Sequence, residues 1–79
     1  MKFLFDLLDN LKWATKEDKE KYTFYYYDRL KKVTRGFKFN DIKKILNLYL
    51  LINKEGKDVY ISLTSLMEIK ENNIIIWKR

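Results

Sequence analysis

The stretch DVYISLTSLMEIKENNIIIWKR, Asp58 to Arg79, decides the fold. Val59 to Leu63 is rich in β-favouring residues, and Thr64-Ser65 interrupts it with a single polar turn. A second strand is expected around Leu66 to Lys70. Glu71-Asn72-Asn73 then supplies another turn, and Ile74 to Trp77 a closing strand. Working back toward the N-terminus, Lys54-Glu55-Gly56-Lys57 is the clearest hairpin signal, joining Val59 to Leu63 to the apolar run Ile45 to Ile52.

Upstream of that run, Asn40-Asp41 offers a capping or Asx-turn signal. Val33 to Phe39 reads as a short strand with a bulge or bend expected at Gly36. The run from Lys21 to Arg29 is aromatic and β-favouring. Alternation gives it one face of Tyr22, Phe24 and Tyr26 and another of Thr23, Tyr25, Tyr27 and Arg29, with a turn near Leu30 to Lys32. Ala14 to Glu20, dense in charge, reads as a solvated connector. In Met1 to Trp13, by contrast, Phe3, Leu4, Leu7, Leu8 and Leu11 recur at helical spacing. A helix this short is not stable alone in water, so its apolar stripe must lie on the rest of the domain. Trp13 and Trp77 are large enough to seal edges between helix and sheet.

The expected fold is α+β: an N-terminal helix packed on a small, strongly curved antiparallel sheet, with an SH3-like or Sm-like barrel as its closed form. Residues 1–79 make a single domain, near the size at which one core only just offsets the conformational entropy of folding. There is no internal repeat, linker or low-complexity tract.

The chain has no cysteine and no histidine. This removes disulfides, thiolate chemistry, the usual zinc ligands and the ordinary general base near neutral pH. Acidic residues such as Asp6, Asp18, Asp41 and Glu68 are scattered among elements, and the two glycines, Gly36 and Gly56, sit singly, so no catalytic cluster or phosphate-cradling loop is expected. Neither an enzyme nor a cofactor-binding protein is expected. No apolar stretch reaches the roughly 18 residues that span a bilayer, and the first residues lack a signal-peptide pattern; the expected location is cytoplasmic. With 17 Lys+Arg against 11 Asp+Glu, the net charge of +6 creates a potential that attracts polyanions, of which nucleic acid is the commonest.

Several short motifs occur in an order that resembles one family. Leu11-Lys12-Trp13 resembles its Leu-Arg-Trp at the end of the first helix, and Tyr27-Asp28-Arg29 its Tyr/Arg-Asp-Arg strand end. Phe39-Asn40-Asp41-Ile42 stands where the family has Pro-X-X-Glu-Ile, and Leu48 to Ile52 matches the apolar strand that follows. Tyr60-Ile61-Ser62-Leu63-Thr64-Ser65-Leu66 keeps an apolar frame, and Trp77 and Arg79 match a terminal Trp-X-Arg. The family is the RNA-repair, or RNA cyclic-group end recognition, domain found as short stand-alone archaeal proteins and fused to RNA-processing enzymes. Ser62, Thr64 and Ser65 replace its Pro, His and Arg, and Leu30-Lys31-Lys32 replaces a Gly- and Pro-containing loop. The resemblance implies RNA binding in repair or processing, with Arg79 in the site and hydroxyls at Thr64 and Ser65 in place of a charged pair.

The residues themselves suggest where RNA would lie. Tyr25, Tyr27 and Arg29 on one strand face, followed by Lys31, Lys32, Arg35 and Lys38, place stacking rings beside cations, as single-stranded RNA binding requires. Lys43 and Lys44 extend the charge. Asp28-Arg29 is either a local ion pair or leaves Arg29 free for phosphate. The leading expectation is a small non-catalytic RNA-binding module that recognises RNA ends or short single strands. The competing expectation is a protein-interaction or assembly module, in which the aromatic face or the edge near Ile45 pairs with a partner subunit or a second copy.

Overall fold

The computed structural model describes residues 2–79; Met1 and the side chains of Lys2 and Phe3, including the expected contribution of Phe3 to the helical stripe, lie outside the described residues. The amphipathic stripe forms helix α1, Lys2–Lys12. Leu4, Leu8 and Leu11 are buried, as residues spaced by three or four on one helix face must be. The charged segment after it is not an open connector. It forms the short helix α2, Lys16–Glu20, because Thr15 caps it: the Thr15 Oγ1 accepts the Asp18 N–H at 3.1 Å, and Glu17 and Asp18 occupy the positive end of the turn.

Seven strands follow: β1 (Tyr22–Asp28), β2 (Val33–Lys38), β3 (Ile42–Ile45), β4 (Tyr49–Lys54), β5 (Lys57–Ser62), β6 (Leu66–Glu71) and β7 (Ile74–Lys78). They form two antiparallel sheets, one in the order β2-β1-β6-β7 and the other β3-β4-β5. This is the α+β class expected. Single 3-10 turns at Phe39–Asp41 and Leu63–Ser65 carry the chain from one sheet to the other and back. The first is fixed by the Asp41 carboxylate, which accepts the Lys38 N–H at 3.1 Å. The second is capped by the Ser62 hydroxyl, which accepts the Thr64 N–H at 3.3 Å. Among the described residues no strand ladder joins the two sheets, so the barrel stays open along a seam.

Side-chain alternation builds the core between the sheets. Phe24 stands opposite Phe37 in the β1–β2 register, and their rings stack with centroids 5.4 Å apart. Phe39, Leu50, Ile52, Ile61, Leu63, Leu66 and Ile69 close the same cluster with the three helix leucines. Each fully buried Leu or Ile contributes about 1.5–3 kcal/mol relative to exposure.

Three further expectations need correction. The run Ile45 to Ile52 is not one strand: β3 ends at Ile45, the chain doubles back through residues 46–48, and the Leu46 N–H bonds the Tyr49 carbonyl at 2.8 Å. Leu46 and Leu48 are apolar turn residues left exposed. Gly36 makes no bulge, since the β1–β2 register runs unbroken from Thr23↔Lys38 to Asp28↔Val33. A Cβ at position 36 would stand 3.1 and 3.2 Å from two carbons of the Tyr25 ring, so glycine leaves room for that ring instead. Trp13 does not seal the core and is 90% exposed. It falls just past the last residue of α1, where the turn closed by Ala14 N–H to the Leu11 carbonyl packs Ala14 on the core and leaves Trp13 outside. Trp77, as expected, packs against the core.

Candidate nucleic-acid interface

The open seam runs between the far end of the β1–β2 hairpin and β5, which is an edge of its sheet. Two adjoining clefts occupy it and share Tyr26, Asp28 and Val59. The first, of about 470 Å³, is lined by Lys31 and Arg35 from one hairpin and by Lys54, Glu55 and Lys57 from the other. The second, of about 330 Å³, is lined by Tyr27, Arg29, Tyr49, Tyr60 and Ser65. Together they form a trough, cationic at one end and aromatic at the other.

The aromatic end draws one tyrosine from each of three strands. Tyr27, Tyr49 and Tyr60 are 40%, 47% and 65% exposed, so their rings are not consumed by packing. Alternation explains this: Tyr27 follows the buried Tyr26, Tyr49 precedes the buried Leu50, and Tyr60 precedes the buried Ile61. The free edge of β5 lies alongside. The Leu63 N–H donates to the Leu48 carbonyl, which fixes the alternation of the β4–β5 ladder. The main-chain groups of Asp58, Tyr60 and Ser62 therefore point away from β4, leaving donors and acceptors on the open side.

At the cationic end Lys54 is half-buried, and its Nζ donates to the Gly36 carbonyl at 2.6 Å, tying one sheet to the other. A carbonyl is neutral, and among the described residues no carboxylate pairs with that ammonium. Its charge is therefore available to an anion in the cleft. Arg35 touches Asp28 only through Nε, at 3.9 Å. Asp28 is chiefly occupied with its own loop, accepting the N–H groups of Leu30 at 3.0 Å and Lys31 at 3.2 Å. The expected Asp28–Arg29 alternative is thus decided: Asp28 pairs with Arg35. Arg29, Lys31, Arg35, Lys54 and Lys57 stand in the trough against Asp28 and Glu55.

Tyr27, Arg29, Lys31, Arg35 and Ser65 are thus brought together as the sequence suggests, whereas the other candidates are not. Tyr25 lies on the outer sheet face between Gly36 and Lys70, whose Nζ is 5.3 Å from the ring centroid. Lys38 donates to the Thr23 hydroxyl at 2.9 Å and lines neither cleft. Lys32 stands at the hairpin tip with a φ of 55° and lines neither cleft either. The Thr64 hydroxyl is engaged with that of Ser62 at 2.8 Å. Arg79 is committed to structure: Nε donates to the Leu66 carbonyl at 2.8 Å, Nη2 to the Leu63 carbonyl at 3.1 Å, and the guanidinium lies over Trp77. Lys43 is paired with Asp58 at 3.1 Å. The Asp58 carboxyl is held below its ordinary value by the Asn53 amide first and by Lys43 second.

Tyr49, Tyr60, Lys54 and Lys57 complete the trough and are absent from the sequence-based set. The alternation of Tyr60 and Ser62 with Ile61 and Leu63 carries the signal for Tyr60. Reading that segment as an apolar frame hides it. Away from the trough, the Tyr22 hydroxyl is pushed up from its ordinary value by burial and by its 3.1 Å bond to Glu71. Asp18 is held down by its bonds from Thr15 and then Lys21.

No family model, curated protein or solved structure matches this chain. No helix is long and apolar enough to cross a membrane among the described residues.

Proposed function

We propose that this chain is a small non-catalytic RNA-binding module of the cytoplasm that holds a short single strand or RNA end in the seam trough. It would serve RNA repair or processing, as the motif resemblance suggests. The observation that carries the reading is the meeting of Tyr27, Tyr49 and Tyr60 at one cleft that adjoins a second lined by Lys31, Arg35, Lys54 and Lys57. Bases stack on exposed aromatic rings regardless of sequence, and cations beside them take the phosphates. The open edge of β5 adds main-chain donors and acceptors of the kind that bond the edges of unpaired bases. No chemical step is assigned to any residue, and no cofactor is invoked.

The competing assembly reading is supported by two free edges elsewhere: β3, which ends at Ile45, is an edge of its sheet, and β7 is an edge of the other, with Ile74 and Ile75 69% and 49% exposed. Association there would bury apolar surface and persist at high salt.

Fluorescence anisotropy with short single-stranded RNAs ending in hydroxyl, phosphate or cyclic phosphate separates the two. Wild type should bind at low salt, and Tyr27→Ala/Tyr60→Ala should weaken binding at least 30-fold, since each lost stack costs roughly 1–3 kcal/mol. Circular dichroism must show the variant folded, which the exposure of both rings favours. Absence of binding by wild type at low salt, or equal binding by the variant, would overturn the RNA reading.

A further inference from the structure

The loop between β1 and β2, Arg29-Leu30-Lys31-Lys32, borders the trough through its first three residues and carries one apolar side chain, Leu30, which is 97% exposed. Isolated exposed leucines are ordinary on protein surfaces. Three observations set this one apart. The loop is held rather than loose, because the Asp28 Oδ1 accepts both the Leu30 and the Lys31 N–H and Asp28 in turn meets Arg35. Leu30 borders the aromatic cleft beside Tyr27, Tyr49 and Tyr60. Every other residue of the loop is a cation.

A rigid tip that presents one apolar side chain among phosphate-seeking cations matches the way proteins press leucine and similar wedges onto base steps. Resting on the reading that the trough holds single-stranded RNA, we infer that Leu30 caps the terminal base pair of a stem. The ligand class is then RNA with a junction between duplex and single strand. The unpaired strand crosses Tyr27, Tyr49 and Tyr60, the last pair of the stem abuts Leu30, and Lys32, which lines neither cleft, faces the phosphates of the stem. A free single strand leaves Leu30 in water, and a blunt duplex leaves the tyrosines unused. Only a junction engages both.

The test compares three RNAs of shared sequence: a hairpin stem with an unpaired tail on either end, the tail alone and the blunt stem. The quantity read is the ratio of affinities, tailed stem over tail alone. Leu30→Ala keeps every charge, so the purely electrostatic gain from the phosphates of the stem survives in the variant. The ratio should fall about tenfold in Leu30→Ala, the worth of part of one leucine side chain removed from water, and return in Leu30→Met. A 2-aminopurine at the terminal pair should change emission on binding to wild type and not to Leu30→Ala. An unchanged ratio in Leu30→Ala overturns the junction inference while leaving trough binding intact. Failure of wild type to bind any of the three RNAs overturns both.

Discussion

Two tryptophans of the same chemistry have opposite fates in this chain, and position relative to a helix end separates them. Trp13 sits one residue past α1 and points to water, whereas Trp77 lies opposite Ile69 on β7 and packs on the core. Trp13→Ala should therefore change stability by no more than about 0.5 kcal/mol, while Trp77→Ala, partly buried against the core, should cost about 2–3 kcal/mol. Urea midpoints of the two variants check this, and equal midpoints would contradict the packing described. Arg79 belongs to the same account. Its two N–H groups bond carbonyls at both ends of the Leu63–Ser65 turn, a fork that a lysine cannot reproduce. Arg79→Lys should lower stability by about 1 kcal/mol, visible as a drop in Tm, without a change in RNA affinity. An affinity loss at unchanged Tm would return Arg79 to the binding site.

At the scale of elements, turn chemistry does much of the specifying. The β4–β5 and β6–β7 connections are two-residue turns with positive φ at both positions: Glu55 at 55° and Gly56 at 78°, and Asn72 at 50° and Asn73 at 69°. Such turns match the twist of antiparallel strands and favour glycine and asparagine. Glutamate at position 55 is the exception. Glu55→Asn should thus raise stability by about 0.5 kcal/mol, and Gly56→Ala should lower it by about 1 kcal/mol; chemical denaturation with an unchanged m-value checks both. Because these turns announce themselves as Glu-Gly and Asn-Asn, the last three strands are legible in the sequence to within two residues at each end. The α1 stripe is equally plain from Leu4, Leu8 and Leu11. The break inside Ile45 to Ile52 is not, because Leu46 and Leu48 are apolar residues serving as a turn and carry no glycine, proline or Asx signal. Helix α2 is hidden by its charge, although Thr15 and Asp18 hold the cap in plain view.

At the scale of the whole molecule, the candidate site depends on where the seam falls, and only tertiary structure places it. The sequence names Tyr27, Arg29, Lys31 and Arg35 because they are neighbours along the chain. It offers no means of bringing Lys54, Lys57, Tyr49 and Tyr60 to them, since that needs the two 3-10 turns to fold one hairpin across from the other. The same geometry separates the cations that matter from those that merely add to the net charge. If RNA lies in the trough, log affinity should fall with log salt at a slope of about −0.7 per neutralised phosphate. With Arg29, Lys31, Arg35, Lys54 and Lys57 engaged, the slope should approach about −3.5. Lys31→Gln/Lys57→Gln removes two exposed members from opposite banks and should flatten it by about 1.4. Lys38→Gln, on a residue bonded to Thr23 outside both clefts, should leave it unchanged although the loss of charge is of the same kind. Equal flattening by Lys31→Gln and Lys38→Gln as single variants would mean that RNA is attracted by the diffuse charge of the molecule and not held in the trough.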